Sequence, residues 1–129
     1  MAQDTTGKAF SHTFVIASSA VLSTGDDKVT YTMPFDAVFD APISACLGTL
    51  GTTGGSTIIT VENVSNSQNI SRNITFATTD TDRTAEGALV ATAAWLTAGD
   101  GDVIGVNVDS ITSGATEKHL TVTMHFTGR

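Results

Sequence analysis

The stretch His119-Leu120-Thr121-Val122-Thr123-Met124-His125-Phe126 decides the fold class. Leu120, Val122, Met124 and Phe126 fall on one side at period two, and His119, Thr121, Thr123 and His125 on the other. Strict alternation over eight residues describes a strand with one face in a core and one in water. The same pattern recurs upstream in VIGVNVDSI, where Ile104, Val106 and Val108 alternate with Gly105, Asn107 and Asp109. It recurs again in AFSHTFVIA, where Phe10, His12, Phe14 and Ile16 share a face. In KVTYTMPF the shared set is Val29, Tyr31 and Met33, and Pro34 then limits ladder pairing.

Between these strands the chain reads as further short strands and turns. Gly25-Asp26-Asp27 is a turn signal. FDAVFDAP is a connector anchored by Val38 and Phe39. Pro42 opens ISACLGTL, with Ile43, Ala45 and Leu47 alternating with Ser44 and Cys46, and GTTGG turns the chain into STIITVENV. NISRNITF supplies Ile70, Ile74 and Phe76 as apolar positions, and ATTDTDRTAEG reads as a surface loop. ALVATAAWLTAG has both helical and strand spacing; strand or irregular structure is favoured because its surroundings are β. About eight strands result, at the spacing of an antiparallel β-sandwich. The long connections around residues 34–42 and 77–87 suit Greek-key crossings, so a jelly roll is expected. Residues 1–9 are expected to form a flexible arm, with a single domain over 10–129.

Composition supports an all-β chain. Of 129 residues, 23 are Thr and 11 Ser against 6 Lys plus Arg, and only 15% are charged. Thr is stiff at χ1 and suits the wet side of a sheet. The formal net charge is −7, with no basic cluster. Nucleic-acid binding needs a basic footprint, so neither nucleic acid nor an anionic membrane surface is an expected partner. No apolar run approaches a membrane span, and MAQDTTGKAF does not read as a signal peptide.

Chemistry-bearing patterns are sparse. The phosphate-loop, dinucleotide, H-E-x-x-H and G-x-S-x-G motifs do not occur. The single cysteine, Cys46, reads as a buried free thiol. His119 and His125 lie six residues apart, about 20 Å along a strand, too far to share a metal. His12 reads as a hydrogen-bonded, partly buried imidazole. Trp95 and Tyr31 read as core rather than as an aromatic binding platform. Asp100 and Asp102 flank Gly101 and are weak candidates for a cation, as are Asp80 and Asp82; turn-forming carboxylates are the simpler account of both pairs. Asn63, Asn69 and Asn73 head N-x-Ser/Thr triplets to which no modification is assigned. No catalytic residue, cofactor or metal is expected, and the chain does not read as an enzyme.

The segments TYTMPFDAVFDAPISACLGTLGTTGG, STIITVENV, ITFATTD, LTAGDGDVIGVNVDSI and HLTVTMHF together resemble a β module of tailed-bacteriophage virion proteins. The most telling element is the turn Gly99–Asp102 leading into VIGVNVD. The resemblance covers residues 28–127 and departs at the Ala-rich run within 80–96. It implies a jelly-roll-like accessory protein, used for capsid decoration, in head fibres or at tail-fibre tips, and usually a closed homotrimer. Gly99 and Asp102 would then be turn formers. The expected role is a non-enzymatic capsid decoration protein on the outer shell, with the major capsid protein or another virion protein as partner. The alternative is a tail- or head-fibre receptor-binding module for a host cell-surface glycan.

Overall fold

The computed structural model describes residues 4–17, 20–77, 83–114 and 116–129. Eleven strands form among these residues: β1 (Ala9–Ile16), β2 (Gly25–Thr32), β3 (Ala37–Phe39), β4 (Ile43–Thr49), β5 (Ser56–Asn63), β6 (Gln68–Asn69), β7 (Ile74–Ala77), β8 (Thr84–Gly87), β9 (Thr97–Ala98), β10 (Val103–Ser110) and β11 (Lys118–Gly128). They build two antiparallel sheets, one of six strands and one of five, packed as a sandwich.

In the six-stranded sheet β11 is central. It pairs β1 through Leu120–Thr127, β4 through Lys118–Thr123 and β3 through Phe126–Gly128. A strand has two edges, so β1 holds one and β4 and β3 share the other in succession. β8 and β9 extend β4 and β3 in turn. In the five-stranded sheet β10 lies between β2 and β5, and β6 and β7 share the far edge of β5. The count exceeds the expected eight because three of these partners are interrupted strands. Asp40–Pro42 breaks the first pair, and Pro42 has no amide to donate.

The core is the set of inward positions of both sheets. Phe14, Phe39, Phe76, Leu47, Ile59, Ile74, Ile104, Val106, Leu120, Val122, Met124 and Phe126 are all buried. Burying one such side chain contributes about 1.5–3 kcal/mol, and aliphatic residues carry most of this interior. The alternation expected in β1, β4 and β11 is observed in full.

Several expectations change. Gly25–Asp27 is not a turn but the start of β2, where Asp27 takes a left-handed φ of 51° beside a register shift between Val106 and Val108. A bulge and a turn share the same residue preferences, which is why the signal was ambiguous. The connector FDAVFDAP contains β3, whose Ala37 and Phe39 are buried. Thr84–Gly87 of the expected surface loop is β8, paired to β4. The Ala-rich run is irregular, with a 3-10 turn at Ala93–Leu96 followed by the two residues of β9. The expected arm is divided. The Gly7 amide donates to the Gly128 carbonyl and the Gly128 amide to the Lys8 carbonyl, and Ala9 already belongs to β1.

Candidate functional site

Two surfaces and two polar clusters contain most of the side chains that could carry a function. The first surface is the outer face of the six-stranded sheet. Registry places Thr13, Thr123, Ser44 and Glu86 in one row, and Val15, Thr121, Cys46 and Thr84 in the next. Thr13 and Thr123 share a hydroxyl–hydroxyl hydrogen bond of 2.9 Å. Cys46 is half-buried on this outer face, not in the core, because alternation sends Ala45 and Leu47 inward instead. A shallow depression of about 120 Å³ lies over Ser44, Cys46, Thr84, Thr121 and Thr123. Both rows carry a single formal charge, that of Glu86.

The outer face of the five-stranded sheet is different. Gly105 lies in register between Thr30 and Glu62. A Cβ on Gly105 would meet the Asp27 carboxylate at 2.7 Å, so the glycine makes room for that side chain. Asn107 accepts from the Asp27 amide at 2.8 Å and donates to Glu62 at 3.2 Å. Burial raises the Glu62 carboxyl above its ordinary value, and Asp27 and Asp26 add repulsion; the Asn107 hydrogen bond opposes them in part. Thr60 donates to Asp109 at 2.8 Å on the same face.

Asp102 is the hub of the Gly99–Asp102 turn. One of its oxygens accepts from the Gly99 amide at 2.9 Å, Asn63 at 3.0 Å and Asn66 at 3.4 Å. Asn63 foremost, then the Gly99 amide, hold this carboxyl below its usual range, against a small opposing effect of burial. Asp100 is exposed, and its amide donates to Asp36. Asp102 is thus occupied as an acceptor for the turn. Among the described residues, no group of three or more His, Cys, Asp or Glu is placed to hold a metal ion. Asp80 and Asp82 lie outside the described residues.

The other cluster was not visible in the sequence. Glu117 is 0% exposed and accepts from the Thr57 hydroxyl at 2.9 Å and the Thr112 amide at 2.7 Å. Burial pushes its carboxyl up, but hydrogen bonds led by the Thr112 amide outweigh it, and the net shift is downward. Gly51 packs so closely that a Cβ there would meet Thr112 Oγ1 at 2.4 Å and Glu117 Oε1 at 2.6 Å. Glu117 Oε2 and Thr112 Oγ1 are buried without a hydrogen-bond partner. His119, with φ of 58°, breaks the alternation at the head of β11. Parity counted from Leu120 therefore does not reach Glu117, and no signal in the connector ITSGATEK marked it as buried.

The remaining candidates are dispersed. His12 stacks on Tyr31 with ring centroids 3.8 Å apart and meets Phe14 edge-on at 4.7 Å, so its contacts are aromatic rather than the expected hydrogen bond. Burial lowers its pKa. His119 and His125 are exposed. Trp95 is 37% exposed on the 3-10 turn, correcting its assignment to the core; Tyr31 is half-buried. Asn63 is 1% exposed, which closes it to a glycan, whereas Asn69 and Asn73 are exposed.

No family model and no curated protein matches the sequence. Among solved structures, the chain is similar to one described as the cyanophage Pam1 capsid asymmetric unit. The TM-score is 0.58 at 12% identity, over 100% of this chain and 91% of that one. At that identity the likeness concerns the fold.

Proposed function

We propose that this chain is a structural protein of a bacteriophage particle, a decoration protein seated on the outer surface of the capsid. The observation that carries the reading is the fold likeness to a chain of a cyanophage capsid, which extends over the whole of this chain. We read the winding as a jelly roll. With β3/β4, β6/β7 and β8/β9 each counted as one interrupted strand, the pairings reduce to two four-stranded sheets of interleaved Greek keys. The outer face of the six-stranded sheet, with one formal charge over its two central rows, supports a role based on contact. Thr and Ser lose less on desolvation than Lys or Glu, so a Thr-rich face can be covered by a shell protein at low cost. The partner in this reading is the major capsid protein, and the protein is not an enzyme.

One observation favours a second reading. Trp95 is an exposed aromatic, and such a side chain can stack on a sugar ring. On that reading the chain is a fibre module recognising a host cell-surface glycan. Imaging intact particles with this protein labelled separates the two. Label at symmetry-related points over the shell is the expected result. Label confined to a tail or fibre end transfers the chain to the second reading, and absence from every particle removes both.

A further inference from the structure

The sandwich has four lateral edges, and three carry features that discourage pairing with another strand. On the five-stranded sheet, β2 presents Asp26, Asp27 and Lys28 beside a register shift. The opposite edge is split into β6, two residues long, and β7, four residues long. On the six-stranded sheet, one edge is split into β8, four residues, and β9, two residues. Charges, bulges and short strands are the devices by which sheet edges avoid aggregation.

The fourth edge, β1, has none of them. Ala9-Phe10-Ser11-His12-Thr13-Phe14-Val15-Ile16 contains no Asp, Glu, Lys, Arg, Pro or Gly. It runs eight residues in unbroken register against β11, with no bulge. Among the described residues no other strand pairs with it. Its outward side chains Ser11, Thr13 and Val15 are exposed, Val15 by 58%. An edge of this length and regularity presents a row of backbone donors and acceptors to any strand that can approach it.

We propose that this edge is a self-association site, at which β1 of a second copy adds antiparallel to β1 about a twofold axis. Charge selects the occupant's approach. Each copy carries −7, and the eight residues of β1 bring no carboxylate of their own to the seam. Geometry selects the register. Directly opposed residues must lie on the same side of the sheet, so the two residue numbers of a pair must sum to an even value. Centring on Thr13 pairs Thr13 with Thr13, Ser11 with Val15, His12 with Phe14 and Phe10 with Ile16. These are aromatic, β-branched and hydroxyl pairs of the kind that stabilise sheets. Centring on His12 instead opposes the two imidazoles and sets Lys8 against Ile16. The twofold makes a dimer the unit of assembly, in place of the trimer implied by resemblance.

The test uses the full chain in solution. Sedimentation should show a reversible dimer at micromolar concentration. Thr13→Lys and Thr13→Glu should each weaken it by about tenfold or more, because like charges then face each other across the axis. An equimolar mixture of the two variants should restore the dimer as a Lys–Glu heterodimer. Thr30→Lys, on the guarded β2 edge, should leave it unchanged, and circular dichroism should show every variant folded. If a variant misfolds, Thr13→Cys in a Cys46→Ser background tests the same register by oxidation to a disulfide-linked dimer. A monomer at all concentrations overturns the proposal. So does an oligomer that ignores the Thr13 charges, or a mixture that fails to reassociate.

Discussion

The two sheets solve the same problem by different means. In the six-stranded sheet β1, β4 and, from Leu120 onward, β11 alternate regularly, and side-chain parity separates an interior that is apolar apart from the half-buried His12 from an exterior whose two central rows carry one formal charge. In the five-stranded sheet β10 carries two register shifts, and its outward Asn107 and Gly105 are buried along with its core residues. There the polar groups are held by individual hydrogen bonds: Asp27 to Asn107, Asn107 to Glu62, Thr60 to Asp109, and Asn63 to Asp102. A regular ladder distributes its stability over many interchangeable apolar contacts. A bulged one concentrates it in a few polar groups, each costly to orphan.

The largest effect should come from breaking parity where it rules. Val122→Asp places an unpaired carboxylate in the core, and the loss of about 4 kcal/mol or more should leave the chain unfolded by circular dichroism. Thr123→Lys, one residue along on the outer face, should change stability by less than about 0.5 kcal/mol. Equal damage from both would show that the outer face of the six-stranded sheet is not free in solution.

Next in size is Glu117→Ala, which strands the Thr57 hydroxyl and the Thr112 amide in a buried site. Chemical denaturation should show a loss of about 2–3 kcal/mol at neutral pH. Asp102→Ala should cost less, about 1–2 kcal/mol, because the Gly99–Asp102 turn is partly open to water. Both carboxyls are held below their ordinary values, so each contributes fully above its unfolded pKa and loses that contribution as pH falls through the folded one. The wild type should therefore weaken below about pH 4.5, and each variant should weaken less steeply there. An unchanged acid limb in both variants would remove these groups from the account.

The smallest effect should have the opposite sign. Glu62 is raised, chiefly by burial and then by Asp27 and Asp26, so its ionisation opposes folding once pH exceeds its folded pKa. Glu62→Gln should raise stability at pH 7 by about 0.5 kcal/mol and leave it unchanged at pH 4. A loss at pH 7 would mean that its bond to Asn107 outweighs the repulsion.

The contrast between the sheets also marks how far the sequence could be read. Strand positions in β1, β4, β10 and β11, and the inward sets built on Phe14, Leu47, Val106 and Val122, were legible because period two is a local property of the backbone. The role of Asp102 as a turn former was legible for the same reason, since its Gly99 partner is three residues away. Its ties to Asn63 and Asn66 were not, because they cross 39 and 36 residues. The left-handed Asp27, the buried Glu117, the exposed Trp95 and the half-buried Cys46 were misjudged or missed. In each, residue type suggests one environment and the neighbours impose another.

By itself, then, the sequence determined an acidic, Thr-rich, all-β chain, the alternation that separates its core from its surface, and the lack of familiar catalytic motifs. These depend on residues within a few positions of each other. Only the tertiary structure decided which strands lie at an edge, that among the described edge strands β1 alone is unguarded, that Asp27 and Glu62 meet over Gly105, and that Glu117 is enclosed by Thr57, Thr112 and Gly51. Those outcomes depend on pairing between distant segments. Neither local propensity nor period carries the register of one strand against another.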